Sequence, residues 1–315
     1  MATNDSPKSI TASRTLQVAK AGAPAMSSFT PMYKEDYATK TVGLTDPEWR
    51  YSAWTDERAL SGTKSLKMGM PRGYLPPSCG GSHFFANNHR TNEALGLPAT
   101  IPIGNTVWFR MYFYFASTFS FGYLYRNGNA QDDLDSTECG KSNDMGNTGN
   151  KWMNFDSPGT SGKVYIKIPS GRQKIAQPSG ADPEHPYIRI ENEAGNGGLT
   201  SSGRTVPLDQ WFAMQLGVKV SNDNTGFVRL WLDNDLVAEQ LNVSTIQAGD
   251  TYYDSWGLGD YWNGIPYTDG AAGRDDLYID EIIIASDVAG YGTPTGIDAN
   301  GNAYIDPATR AGDLS

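Results

Sequence analysis

The sequence has few cysteines, few histidines and no long apolar runs. Its 315 residues include two cysteines and three histidines. Cys79 and Cys139 are too few for a disulfide framework, whether or not they pair with each other, and the histidines do not show zinc-ligand spacing. No stretch approaches the ~20 consecutive apolar residues of a membrane-spanning helix. The composition therefore points away from disulfide-rich, zinc-binding and helical membrane proteins.

Positive charge is also scarce. The chain carries 25 Lys and Arg against 35 Asp and Glu, for a formal net charge of −10. A nucleic-acid-binding surface needs clustered cations that displace counterions from phosphates. We therefore predict no nucleic-acid partner.

The N-terminus lacks the charged start, apolar core and cleavage site of a secretory signal. We expect either a protein that is not exported by that route or a mature chain. Residues 1–27 are rich in Ser, Thr, Ala and Lys and show no apolar periodicity, so they are predicted to form a polar arm.

Glycine, proline and aromatic residues are plentiful. The chain has 35 Gly and 18 Pro, and 11% of its residues are aromatic. This composition is typical of many short strands joined by sharply turning loops. An all-β protein with one large domain is the prediction.

The clearest element is the stretch 211–243. From Phe212 to Val220 every second residue is apolar, which is the period of a strand with one buried face. The polar run 222–226 then permits a turn, and Val228, Leu230 and Leu232 resume the alternation. We predict an antiparallel meander here.

Three short motifs carry a family resemblance. The run 231–237, WLDNDLV, resembles the W-x-D-G-x-L-V hairpin of concanavalin A-like jelly rolls, with Asn234 in place of Gly. The run 59–67, ALSGTKSLK, is similar to their opening strand, and 276–285, DLYIDEIIIA, to their closing strand. Laminin-G domains, legume lectins and polysaccharide lyases share this superfold. The resemblance implies a two-sheet antiparallel jelly-roll sandwich over residues 28–290, with an irregular C-terminal tail over 291–315.

A second strand, Val107–Phe115, carries apolar side chains on one face and aromatic and cationic side chains on the other. Two later strands, around 163–168 and 187–191, repeat the pattern. If all three lie in one sheet, their second faces form a basic, aromatic groove suited to an anionic glycan. A covering loop or a subunit interface would explain the same residues. The candidate ligand-binding residues are Trp108, Arg110, Tyr112, Tyr114, Tyr165, Lys167 and Arg189.

An acidic loop is the only metal candidate. Asp132, Asp133 and Asp135 lie close together, and carboxylate oxygens are ligands for Ca²⁺, which the laminin-G resemblance also implies. The full calcium-loop pattern is missing, so a solvated loop is the alternative. No cofactor is expected otherwise.

The catalytic patterns of the superfold are missing from the sequence. It has no E-x-D-x-x-E strand of the glycoside hydrolases, and neither the Gln-x-His strand nor the Y-F-K-x-G-x-Y motif of the alginate-lyase-like members. A lyase would have to assemble its site from other side chains. The candidates for that role are Arg110, Tyr112, His83, His89 and Lys167.

Function is therefore left with three hypotheses. The favoured one is a non-enzymatic structural or surface-assembly protein, such as a virion decoration or tail component, whose ends contact neighbouring subunits. It would sit on a virion or an extracellular surface. A lectin and a polysaccharide lyase acting on an anionic glycan are the alternatives, because fold alone does not determine function.

Overall fold

The structure is a computed structural model. It describes residues 29–41, 43–44, 52–71, 95–117, 149–158, 163–169, 187–194, 197–257, 261–262 and 274–314. Within these ranges there is no α-helix. The strands are β1 (Tyr33–Glu35), β2 (Gly43–Leu44), β3 (Ser52–Thr55), β4 (Ser65–Pro71), β5 (Leu95–Pro102), β6 (Thr106–Phe115), β7 (Gly149–Asp156), β8 (Lys163–Pro169), β9 (Tyr187–Asn192), β10 (Gly198–Thr205), β11 (Trp211–Lys219), β12 (Gly226–Leu232), β13 (Asp235–Val243), β14 (Tyr252–Gly257), β15 (Tyr261–Trp262), β16 (Arg274–Ser286), β17 (Gly296–Ile297) and β18 (Ala303–Tyr304).

Two large sheets build the molecule. The nine-stranded sheet has the order β13-β12-β11-β6-β16-β4-β3-β2, with β1 also paired to β16. The seven-stranded sheet has the order β10-β9-β8-β7-β14-β5, with β15 also paired to β7. All of these strand pairs are antiparallel. The predicted two-sheet jelly-roll sandwich is confirmed.

The predicted meander is the edge of the nine-stranded sheet. Strands β11 and β12 pair antiparallel with Leu216 opposite Leu230, and a tight turn then leads into β13. The alternating side chains of β11 from Phe212 to Val220 are all buried in the main core. The sequence pattern identified the correct inner face because one sheet face is buried and the strand period is two.

The core lies between the sheets and is rich in aromatic rings. Strand β6 sends Phe109, Phe113 and Phe115 into it. The Phe113 ring lies 5.7 Å from the ring of Trp152 in the opposite sheet, in an edge-to-face arrangement. Such pairs contribute roughly 0.5–1.5 kcal/mol beyond the burial of their area.

The opening and closing signatures of the family resemblance are joined by hydrogen bonds. The carboxylate of Asp280, fully buried in β16, accepts from the backbone N–H groups of Leu60 and Ser61 at 2.9 and 3.3 Å. The neighbouring Glu281 has a positive φ of 55° and lies where the pairing of β16 with β6 shifts register. Its carboxylate accepts from the Ser61 hydroxyl and from the N–H of Ala311. This bulge therefore connects the opening loop, the closing strand and the C-terminus.

The C-terminal segment, residues 292–314, lies on the outer face of the nine-stranded sheet. It contains the small β17–β18 hairpin and a 3₁₀ turn at Ala311–Asp313. Tyr304, Ile305 and Leu314 form a second apolar cluster with Trp108 and Trp231 of the sheet. The sequence left two alternatives for this end, lying over the protein's own surface or contacting a neighbouring subunit, and the segment packs on its own chain. Self-assembly through this end is therefore unsupported, and the arm 1–27 lies outside the described residues.

Candidate functional site

The predicted groove residues lie in two different sheets. Trp108, Arg110, Tyr112 and Tyr114 belong to β6 of the nine-stranded sheet, whereas β8 and β9 belong to the seven-stranded sheet. The outer faces of two packed sheets point in opposite directions. The condition for one combined groove is therefore not met, and the chain has two separate outward faces.

The outer face of β6 is occupied by the C-terminal segment. The indole N–H of Trp108 donates to the carbonyl of Ala303 at 2.9 Å. The Arg110 guanidinium donates from Nη1 to the carbonyl of Asp306 at 2.8 Å, and the Tyr112 hydroxyl donates to that of Pro307. All three sheet side chains are buried. The protein's own backbone thus takes the hydrogen bonds that a glycan would have needed.

Tyr114 lies beyond that segment but is covered as well. The Arg58 guanidinium stands 3.8 Å from the centre of its ring, and the Trp211 ring packs on its edge at 5.7 Å. Its hydroxyl donates to Asp209 at 3.3 Å. The β6 face therefore offers no stacking platform at any of its four predicted residues.

The outer face of the seven-stranded sheet carries a different polar set. Asn154 of β7, Tyr165 of β8 and Glu191 of β9 form one row in register across three neighbouring strands. Asn154 and Tyr165 are buried, and neither belongs to the apolar core. The Tyr165 hydroxyl donates to the carboxylate of Glu193, just past the end of β9, at 2.7 Å.

The next row of the same sheet is basic. Lys151, Lys167 and Arg189 occupy paired register positions on β7, β8 and β9. Arg189 is buried and lies diagonally next to Tyr165, a position at which Cβ atoms are ~7–8 Å apart. Of the predicted residues, the structure thus brings Tyr165, Lys167 and Arg189 together and separates them from Arg110 and Tyr112.

Burial controls the protonation states on this face. Burial raises the pKa of Tyr165 far above its usual value, and the charges of Glu191 and Glu193 raise it further. Tyr165 is therefore a neutral phenol over the whole physiological range. Burial lowers the pKa of Arg189, while Glu191 opposes that shift.

Sequence reasoning missed Asn154, Glu191 and Glu193. Strand β7 contains a bulge between Lys151 and Asn154, so that Trp152 and Met153 both enter the core. This extra residue breaks the alternation by which a strand is recognised. The polar residues of β9 could be recognised in the sequence, since Arg189 and Glu191 alternate with Ile188 and Ile190. Their position beside Tyr165 could not, because it depends on the order of the strands in the sheet.

Several predicted residues cannot be placed. His83, His89, Cys79, Cys139 and the acidic loop residues Asp132, Asp133 and Asp135 lie outside the described residues. In the part of the chain that is described, no group of three or more acidic, His or Cys side chains is arranged to hold a metal ion. The same part contains no helix long and apolar enough to cross a membrane.

Comparison with known proteins decides the family. A sequence model of the polysaccharide lyases matches residues 34–283, which include the seven-stranded sheet with all its candidate residues and nearly all of the nine-stranded sheet. The chain belongs to the polysaccharide lyase family. A search of curated proteins finds none that matches the sequence.

Solved structures with similar folds have low sequence identity. The endo-β-1,4-glucuronan lyase of the fungus Trichoderma reesei is 15% identical, with a TM-score of 0.44 over 81% of this chain and 95% of that one. The marine PL-14 alginate lyase of Aplysia kurodai is 7% identical, with a TM-score of 0.48 over 81% of this chain and 98% of that one.

The family overturns the favoured functional hypothesis. A non-enzymatic structural protein, such as a virion decoration or tail component, was wrong, because the lyase model covers most of the jelly roll. The structural hypothesis was favoured because the known catalytic sequence patterns are missing, but the absence of these patterns does not imply that the protein is not an enzyme. The polar residues of the seven-stranded sheet are spread over three strands, so no short sequence pattern contains them.

Proposed function

We propose that this polysaccharide lyase cleaves a uronate-containing polymer by β-elimination on the outer face of the seven-stranded sheet. The observation that carries the proposal is the register of Tyr165 and Arg189, which sets a neutral phenol diagonally beside a guanidinium on adjacent strands. A glycan-binding role for β6 is not supported, because its face is covered by residues 303–307.

The reaction has three chemical requirements. The uronate carboxylate must be neutralised so that the proton on C5 becomes acidic, a base must remove that proton, and the C4–O bond must break as its oxygen receives a proton. The electron pair of the C5–H bond then forms the C4–C5 double bond. Charge builds up on the carboxylate during proton removal, so a fixed cation beside it lowers the barrier.

The residues divide these tasks by their chemistry. Arg189 is assigned to the carboxylate, because a guanidinium pairs with it through two parallel hydrogen bonds. Tyr165 is assigned to the departing oxygen, because a neutral phenol carries a proton that it can donate to that oxygen. Lys167 shares a register row with Arg189 and is the candidate base. The amide of Asn154 is a further donor for the carboxylate.

The burial of the proposed active-site residues restricts how a substrate can reach them. Tyr165 and Arg189 are at most 1% exposed. A polymer can contact them only if this face opens when it binds. Substrate binding in this proposal therefore includes a conformational change that exposes Tyr165 and Arg189.

The test is the near-ultraviolet absorbance of the unsaturated product on alginate, glucuronan, pectate and glycosaminoglycans. Wild-type protein should produce the signal on at least one polymer. Tyr165→Phe and Lys167→Ala should lower kcat by roughly 10²-fold or more, the range expected for removing a proton-transfer group. Tyr112→Phe is the matched control, because its ring lies under the C-terminal segment in the other sheet.

Two outcomes would contradict the proposal. If the protein bound the polymers but released no unsaturated product, its function would be that of a lectin and not of a lyase. Loss of activity in folded Tyr112→Phe, with full activity in Tyr165→Phe, would assign the reaction to the other sheet.

A further inference from the structure

A buried polar cluster lies between the nine-stranded sheet and the C-terminal segment, on the side of the molecule away from the proposed active site. It consists of Arg110 of β6, Gln215 of β11, Tyr112 and Arg310. Arg110 and Gln215 are a directly opposed pair in the β6–β11 register, so their Cβ atoms are ~4.5–5.5 Å apart on one face. Arg110 is 0% exposed and Gln215 is 2% exposed. We call this group the Arg110 cluster.

The cluster contains several N–H groups that have no protein acceptor. Arg110 makes one hydrogen bond, from Nη1 to the carbonyl of Asp306, and its Nε and Nη2 have no partner among the described residues. The Gln215 oxygen accepts from the backbone N–H of Ile305 at 3.1 Å, which fixes the orientation of the amide. Its Nε2 is then buried without a partner in the described part of the chain.

The cluster also carries positive charge that no direct ion pair neutralises. Burial lowers the pKa of Arg110 only to about 10, so the guanidinium remains charged at neutral pH. The cations of Arg110 and Arg310 lie 5.2 and 5.0 Å from the centre of the same Tyr112 ring. The carboxylates of Glu281 and Asp306 act on Arg110 through their charge and oppose the repulsion from Arg310, but neither forms an ion pair with Arg110 among the described residues.

These donors require an acceptor that brings no hydrogen of its own. A water molecule accepts at most two hydrogen bonds and adds two hydrogens that need acceptors in turn. The carbonyl of Pro307 already accepts from both Tyr112 and Arg310. That of Asp306 accepts from Arg110 and has one lone pair left, so these two carbonyls could take only one of the two hydrogens of a water molecule. A monoatomic anion accepts from all the free N–H groups and also cancels a buried charge.

We propose that the Arg110 cluster binds a small inorganic anion of the halide class, chloride under ordinary conditions, held by Arg110 Nε and Nη2 and by Gln215 Nε2. The anion fixes the C-terminal segment on the sheet, because Arg110 and Gln215 also hold the backbone at Asp306 and Ile305. The site is independent of the lyase activity.

The first test is thermal unfolding at constant ionic strength, with sodium gluconate replaced stepwise by sodium chloride or bromide. The Tm should rise by about 5 °C when the halide reaches ~100 times its Kd and should increase with the logarithm of the halide concentration above the Kd, since a ligand of the folded state stabilises it by mass action. A Tm that does not respond to halide would overturn the proposal.

The matched variant is Gln215→Glu. Its carboxylate keeps the acceptor for the Ile305 N–H and places a negative charge beside Arg110, so the variant should be stable in gluconate and lose the halide response. Gln210→Glu makes the same charge change at an exposed position and should keep the response. If Gln215→Glu kept the full halide response, the anion would have to lie elsewhere.

The direct test uses wild-type crystals grown in bromide. Anomalous scattering should give one peak within hydrogen-bonding distance of Arg110 Nε or Nη2 and of Gln215 Nε2. A water molecule there, without an anomalous signal, would overturn the assignment. So would a bromide peak accompanied by no halide dependence of the Tm, which would mean binding at crystal concentration only.

Discussion

The Arg310 guanidinium donates to the hydroxyl of Tyr112 at 3.0 Å and lies over the ring of the same residue. Tyr112 in turn donates to Pro307, and Arg310 donates to the same carbonyl at 2.7 Å. The three groups close a ring of hydrogen bonds between the sheet and the C-terminal segment. Side chains that resemble a glycan platform in the sequence are here the attachment site of the chain's own end.

Arg310→Met should therefore destabilise the protein. It removes two hydrogen bonds from a charged donor and a cation–π contact at a half-buried position, and we expect a loss of about 1–3 kcal/mol in the free energy of unfolding. Urea unfolding measures it. Arg204→Met is the control, because Arg204 is exposed and its contact with Asp235 at 3.4 Å should contribute less than ~0.5 kcal/mol. Equal losses in the two variants would contradict a role for Arg310 in holding the segment.

Gly217→Ala tests the packing beneath the same segment. A Cβ at Gly217 would lie 2.8 Å from a ring atom of Trp231 and 3.3 Å from one of Trp108. Both rings are buried and hydrogen-bonded to the segment, so they have little freedom to move. We expect a destabilisation of roughly 1–3 kcal/mol in thermal or urea unfolding, the usual cost of overpacking.

Gly96→Ala is the matched control for this substitution. Gly96 lies in β5 of the other sheet, and a Cβ there would meet no atom within 4 Å. Its free energy of unfolding should stay within ~0.5 kcal/mol of the wild type. A neutral Gly217→Ala would show that the two indoles can separate and that the segment is loosely packed.

Asp280 should make stability depend on pH. Burial raises its pKa to about 7, although the N–H groups of Leu60, Ser61 and Glu281 oppose the shift. A raised pKa in the folded state means that the protonated form is favoured there. The stability contributed by protonated Asp280 is fully present below about pH 4, the pKa of an Asp in the unfolded chain. It is lost as the pH rises through about 7, the pKa in the folded protein. The loss is about 4 kcal/mol at 1.36 kcal/mol per pKa unit.

Asp280→Asn should flatten that dependence. The variant keeps one oxygen for the Leu60 N–H but loses a second acceptor, so it should be less stable than the wild type at pH 4 and lose less stability between pH 4 and pH 7. Urea unfolding over this range is the measurement. Asp235→Asn, at a side chain 70% exposed, should follow the wild-type curve. A parallel curve for Asp280→Asn would mean that Asp280 does not titrate in this range.

Local pattern was enough for most of the fold. The alternation in β6, β11 and β12 identified three strands and their inner faces, and the run at 276–285 marked the closing strand. The run at 59–67 was expected to be the opening strand, but residues 59–64 form a loop, strand β4 begins at Ser65, and three strands precede it. Leu60 of the first run and Asp280 of the second are hydrogen-bonded to each other, so the two runs that carry the resemblance meet in the fold.

The site needed information that local pattern does not contain. Arg110 and Arg189 both alternate with apolar neighbours, so the two strands look alike in the sequence. The sequence of each strand does not show that Arg110 lies under the C-terminal segment and Arg189 in the opposite sheet. Strand order, a long-range property, makes that distinction. The bulge in β7 hid Asn154 for the opposite reason, because one extra residue shifts every following side chain to the other face.

Arg189→Gln is the sharpest test of the role proposed for the basic row. If Arg189 neutralises the charge that develops on the uronate carboxylate, the loss should fall mainly on kcat, by roughly 10²–10³-fold, because the interaction strengthens in the transition state. Steady-state kinetics on the active polymer separates kcat from KM. Arg229→Gln, on β12 of the other sheet, should retain wild-type values. A rise in KM with kcat unchanged would restrict Arg189 to binding, and full activity in a folded variant would remove it from the site.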